Sequence, residues 1–181
     1  MKKIDTKTIT ITAILIALSI IWVRFMITIP FGIWSFTPFS HIFIFLGMLI
    51  NPIAGILTAV GAFLGFVLKG VDIVVLMRAG SHIIFVVVGL LLLRVLHIKK
   101  FSHFMIFLLV TGLVHALGET ACVYIALFNG IKVNNSTTIY IWGATFGATF
   151  LHNALDFVAA YFLGKLLVKA KIVVMKPLMT T

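Results

Sequence analysis

The run from residue 73 to residue 93, IVVLMRAGSHIIFVVVGLLLL, constrains the fold more than any other part of this chain. At ~1.5 Å per residue it is long enough to cross a hydrocarbon core of ~30 Å as one helix. Lipid offers no partner for backbone N–H and C=O groups, so such a segment satisfies them within its own helix. Arg78 and His82 interrupt the run one turn apart. An ionisable group inside a spanning helix is costly enough to be a functional candidate by default.

Similar runs recur through the 181 residues, of which 62% are hydrophobic and 10% charged. With a mean hydropathy of +1.26, a soluble domain of this size has nowhere to hide so much apolar surface. The expected fold is all-α: a single integral membrane domain over 1–181, a six-transmembrane-helix bundle with helices at about 8–28, 36–51, 53–69, 73–97, 102–129 and 138–169. Pro30, Gly32 and Pro38 break the chain after the first helix, Asn51-Pro52 after the second and Lys69-Gly70 after the third. The first run continues through Arg24 into further apolar chain, unlike a cleavable signal peptide.

The net charge of +10 sits at the ends of these runs and forms no separate basic domain, so no nucleic-acid partner is expected. Lys2, Lys3, Lys7, Arg94, Lys99, Lys100, Lys165, Lys169, Lys171 and Lys176 fall on one side, against Arg24, Lys69, Arg78 and Lys132 on the other. By the positive-inside rule both termini are cytoplasmic, in the plasma membrane of a bacterial cell. Lys69 is read as a surface residue. The single Cys122 excludes a disulfide framework and a thiolate metal cluster. No cofactor and no metal are expected.

The polar residues concentrate in the last three helices. Arg78, Ser81 and His82 share one face of the fourth, and His115 and Glu119 one face of the fifth. Thr145, Thr149, His152 and Asp156 form a stripe on the sixth, with Asn153 beside it. Counting ~1.5 Å per residue from the outer ends puts Arg78 roughly 7–8 Å deep and His82 about 13 Å deep. His115 and His152 come out near ~21 Å. On that depth His152/Asp156 reads as an internal hydrogen-bonded pair, separate from an outer pocket.

Two readings stand for Arg78: a snorkelling interfacial residue, or the wall of a pocket whose guanidinium grips a carboxylate bidentately. Glu119 either neutralises Arg78 across the bundle or faces a cavity. Trp34, Phe36, Phe39 and His41 make an aromatic wall or lid near the outer end, with Tyr140 and Trp142 opposite; an interfacial aromatic belt explains the same residues. The candidate substrate-binding set is therefore Arg78, Ser81, His82, His115, Glu119, Trp34, His41 and Trp142. Gly61/Gly65 and Gly143/Gly147 have the spacing of close helix packing, and Ala13/Ala17 either that or an outward docking face.

No phosphate-binding loop is present, and the adjacent Ser81 and His82 cannot align as nucleophile and base. The chain has no engine and is not expected to be an enzyme.

Six short helices with Ala13-x-x-x-Ala17 on the first, the segment SFTPFSHIFIFLGMLINPIAGILTAVGAFLGF, then LMRAGSHIIF and LVHALGE, resemble the substrate-binding S component of energy-coupling factor (ECF) vitamin transporters. The resemblance runs from about Thr8 to Leu167 and is similar to the niacin-type subfamily. It implies high-affinity binding of a vitamin near the outer side, under a gate formed here by Pro30, Gly32, Trp34 and Pro38. It also implies that Ala13 and Ala17 dock on a transmembrane coupling subunit joined to two cytoplasmic ATPases, and that the subunit topples in the lipid to release its cargo. Nicotinate, a flat aromatic carboxylate, fits Arg78 best; pantothenate and a pyridoxine- or thiamin-precursor-type ring follow. Rival readings are a small cytochrome with His115 and His152 as haem ligands, and a self-sufficient proton-coupled carrier using Glu119 and Asp156.

Overall fold

The computed structural model describes residues 6–31, 34–133 and 136–175, with the backbone alone for Pro30, Phe31 and Trp34. Gly32, the Trp34 ring and the terminal Lys2, Lys3 and Lys176 lie outside the described residues. Helix α1 (Thr6–Phe25) leads into a hairpin of β1 (Ile29–Phe31) and β2 (Trp34–Phe36), then α2 (Ile42–Ile50), α3 (Pro52–Lys69), α4 (Ile73–Leu92), α5 (Phe101–Phe128) and α6 (Thr138–Lys169). All of these helices except α2 are long and apolar enough to cross a membrane. The chain is a helical multi-pass membrane protein.

The departure from expectation lies between α1 and α3. The sequence predicts a helix from residue 36, but β2 pairs antiparallel with β1, Ile29 opposite Phe36 and Phe31 opposite Trp34. Pro38 cannot donate a helical hydrogen bond, and Phe39 adopts a positive φ of 60°, a conformation that ends regular structure. Helix α2 therefore starts only at Ile42, and its 9 residues cover roughly half of a bilayer at ~1.5 Å each. It has no lipid face: every residue from Ile44 to Leu49 is buried. The hairpin and the turn at 37–41 fill the remaining depth, carrying ordinary loop polarity into the middle of the bundle.

The other helix ends follow local rules. The Asn51 side chain accepts from Ala54 N (2.8 Å) with Pro52 in the first turn of α3. Gly70, at φ 72°, closes α3 in the left-handed conformation. Asp72 accepts from the amides of Val74 and Val75 to start α4. In α6 the stretch Ile141–Gly147 is a π-helix.

Helices α1 and α3 meet where Gly61 and Gly65 admit Ile16, Ile20 and Val23; a Cβ on Gly65 would stand 2.9 Å from Val23 Cβ and 3.0 Å from the Ile20 carbonyl. That is the close packing read from their spacing. Gly143, by contrast, faces open space, so the Gly143/Gly147 pair does not pack helices as expected: it lies on the π segment. The core beneath joins Phe45 of α2 to Phe85, Phe107 and Phe157. Lys7 Nζ donates to the Lys171 carbonyl (3.0 Å), which places the first and last helices' terminal ends at the same end of the bundle. Lys69 Nζ donates to Met26 O and Thr28 Oγ1 (2.6 Å each), tying the far end of α3 to the foot of the hairpin.

Candidate functional site

Where the hairpin end meets α4, α5 and α6, the polar residues of the sequence converge into one buried network. Arg78 on α4 is 4% exposed. Its Nε (3.1 Å) and Nη2 (2.7 Å) donate to Glu119 Oε2 on α5, and Nη2 also reaches the Ser35 carbonyl of β2 at 3.3 Å. Thr149 of α6 donates to the same Glu119 oxygen at 2.6 Å. Glu119 thus neutralises Arg78 and also faces a cavity, so the two roles foreseen for it as alternatives coexist. Snorkelling does not describe Arg78: its head group is inside the bundle, paired, and tied to the hairpin. A cation so placed depends on its partner, since breaking a buried pair costs about 3–5 kcal/mol.

The second half of the network is built on His41, which precedes α2 and is 2% exposed. Asp156 Oδ2 accepts from the His41 backbone N–H (2.9 Å) and lies 3.0 Å from its Nδ1. The other ring nitrogen, Nε2, lies 3.4 Å from His82 Nε2, which in turn lies 3.4 Å from Glu119 Oε1. The His41 ring packs on His82, His115 and His152 with centroids 4.6, 4.6 and 4.8 Å away. His152 Nε2 is 3.2 Å from Ser40 Oγ and 3.4 Å from Asp156 Oδ2. His115 Nδ1 is 3.0 Å from Asn153 Oδ1. Four of the chain's six histidines and two of its four acidic residues belong to this cluster.

This corrects the sequence reading in two places. His152/Asp156 is not a pair apart from an outer pocket, because His41 joins it to His82 and Glu119. Nor is His41 part of an outer aromatic wall. Counting depth along separate helices missed both, since α2 begins halfway down. The His41 ring also occupies the place between His115 and His152 where a haem would sit.

A small cavity of about 20 Å³ opens beside the network, lined on the hairpin side by Ser35, Phe36, Thr37, Ser40 and His41 and on the helix side by Phe66, Val75, Arg78, Ala79, His82, Glu119 and His152. A water needs about 10–15 Å³ on this measure, so the space holds one water-sized occupant. Among the described polar atoms, Arg78 Nη1, His82 Nδ1, His115 Nε2 and Asp156 Oδ1 are buried with no hydrogen-bond partner. Such atoms are rare because each costs about 1–3 kcal/mol.

Of the expected binding residues, Arg78, His82, Glu119 and His41 line the cavity, and His115 stands behind them. Ser81 does not: its hydroxyl donates to the Arg78 carbonyl at 2.7 Å and sits against Gly118. Trp142 is 45% exposed and packs on Phe146, away from the cavity. Lys69 is no bare surface residue, being half-buried on the hairpin foot. Ser35, Thr37, Ser40 and Phe66 join the lining unforeseen; the polar cluster SFTPFSH was the signal for the first three. Ala13 and Ala17 are exposed on α1, and Ala13 lines an apolar groove with Ile9, Ile16, Ile53 and Leu57. No family model matches this chain, and neither a curated protein nor a solved structure matches it.

Proposed function

We propose that this chain is the high-affinity substrate-binding membrane subunit of an ECF-type importer, taking up a small carboxylate vitamin such as nicotinate across a bacterial plasma membrane. It crosses six times with both termini in the cytoplasm, the hairpin and α2 together making the second crossing. The observation that carries the reading is Arg78 Nη1, an unpartnered donor of a permanently charged group at a cavity roofed by the hairpin. Its other donors are spent on Glu119 and Ser35, so one edge remains for an incoming anion.

The present cavity is smaller than an aromatic ring needs, so loading requires the hairpin to lift. Its attachments define the latch: Ser35 O on Arg78, Ser40 on His152 and the His41 amide on Asp156. Transport then rests on partners, a coupling subunit docking along Ala13 and Ala17 and two ATPases. Mass spectrometry of small molecules released from the purified chain tests the reading, with vesicle uptake as its second arm. A carboxylate vitamin, and ATP-dependent uptake only when the coupling subunits are present, are expected. A neutral or cationic ligand would overturn the proposal.

One observation favours a second reading, a proton-coupled carrier. Glu119, His82, His41 and Asp156 form a continuous chain of contacts of 3.4, 3.4 and 3.0 Å. Uptake into vesicles holding this chain alone, abolished by an uncoupler, would select it.

A further inference from the structure

The histidines at the floor of the cavity are arranged for something other than a vitamin. Thr111 Oγ1 donates to the Phe107 carbonyl (2.8 Å), which leaves its lone pair to accept from Asn153 Nδ2 at 3.5 Å. That orientation turns Asn153 Oδ1 toward His115, so His115 Nδ1 carries the proton and donates at 3.0 Å. His115 Nε2 is then a lone pair without a hydrogen-bond partner, 3.4 Å from Glu119 Oε1, a repulsion that a cation between them would relieve.

His41 is held the same way. Its Nδ1–H donates to the Asp156 carboxylate, which leaves Nε2 as a lone pair facing His82 Nε2 across 3.4 Å. A side-chain oxygen on one ring nitrogen and a free lone pair on the other is the arrangement that orients histidine for a metal. Two nitrogens on one tetrahedral zinc, each at about 2.0–2.1 Å, stand roughly 3.3–3.4 Å apart. The His41–His82 separation already matches, and one nitrogen from each of His41, His82 and His115 lies within 4.8 Å of the others.

Charge points the same way. Arg78 and Glu119 cancel, and Asp156 leaves the cluster with a net negative charge when the imidazoles are neutral. A buried negative cluster around imidazole lone pairs is satisfied by a cation. Three imidazoles without thiolate select first-row transition ions over Mg²⁺ or Ca²⁺. Cys122 does not compete, since its Sγ is turned to the Met77 carbonyl.

We propose that His41, His82 and His115 bind one divalent first-row transition-metal ion, Zn²⁺, Co²⁺ or Ni²⁺, with the adjoining cavity supplying a water as a further ligand. The site does not depend on the vitamin reading: its three imidazoles are separate from Arg78 Nη1, the donor proposed there to hold the anion. His41 is also shared with a second possible group, His41, His152 and Asp156. There, however, His41 would have to give up the hydrogen bond from Nδ1 that aims its ring.

The test uses the full chain purified with a tag free of histidine, loaded with Co²⁺ and dialysed, with no vitamin added. About one equivalent of Co²⁺ per chain, with the visible d–d bands of nitrogen-coordinated Co²⁺, is expected, together with a rise in thermal stability that Mg²⁺ does not produce. His115→Ala should cut retained metal at least about tenfold, the loss of one ligand. A His97→Ala/His103→Ala double variant, altering the surface pair, should retain the full equivalent. Should His115→Ala fail to fold, the Co²⁺ spectrum and thermal shift of the unaltered chain still decide. No retained metal, metal lost only with His97 and His103, or metal lost with His152→Ala but kept with His115→Ala would each overturn the assignment.

Discussion

Glu119 is the residue on which the two halves of the site depend, because its carboxylate meets Arg78, His82, His115 and Thr149 at once. The Thr149 bond, at 2.6 Å to a charged acceptor, isolates one strand of that network. Thr149→Val keeps the shape and removes the hydroxyl. It should lower unfolding free energy by about 1.5–3 kcal/mol, the range for hydrogen bonds to charged groups, measured by denaturant titration in detergent. The pairing of Arg78 with Glu119 was legible in the sequence, since intramembrane charges must find partners. His41 was not. It lies in a segment whose prolines and aromatics read as an outer loop, and only the depth to which the hairpin carries it makes it the hub.

The lengths of the apolar runs gave the five long elements to within about five residues, because an apolar run between capping residues such as Asn51 and Asp72 leaves little freedom. The hairpin and the half-length α2 were missed for a physical reason. A stretch buried on every side is as apolar as a lipid-facing one, so hydropathy cannot separate a spanning helix from a short central one. Small-residue spacing was equally ambiguous: Gly61/Gly65 and Gly143/Gly147 look alike in sequence, yet only the first pair packs a neighbouring helix. Gly65→Ala should therefore destabilise the chain by about 1–3 kcal/mol through overpacking against Val23 and Ile20. Gly143→Ala should change stability by no more than about 0.5 kcal/mol, in keeping with a substitution into open space. Thermal unfolding of the two variants side by side checks the contrast.

At the scale of the molecule, one end of the bundle carries the polar cavity and the hairpin, and the other carries the contact between Lys7 and Lys171. Between them α1 exposes Ala13 and Ala17. If that face docks on a coupling subunit, Ala13→Trp should fill the groove with Ile53 and Leu57. ATP-dependent uptake by the reconstituted complex should then fall by about tenfold or more, a cost of about 1.4 kcal/mol in docking. Vitamin binding by the isolated chain should not change. Loss of both together would place the defect in the fold instead of the interface.

The most direct measurement is calorimetric titration of the purified chain with nicotinate and with nicotinamide, its neutral counterpart, repeated on Arg78→Lys. Lysine keeps a cation opposite Glu119 but removes the Nη1 edge, so the fold is preserved while the anion contact is lost. Nicotinate should bind the unaltered chain at least about tenfold more tightly than nicotinamide, and Arg78→Lys should abolish most of that difference, the expected loss of one charge-assisted hydrogen bond. Equal affinity for the two ligands, or a preference for nicotinate that survives in Arg78→Lys, would contradict the assignment of Arg78 as the group that reads a carboxylate.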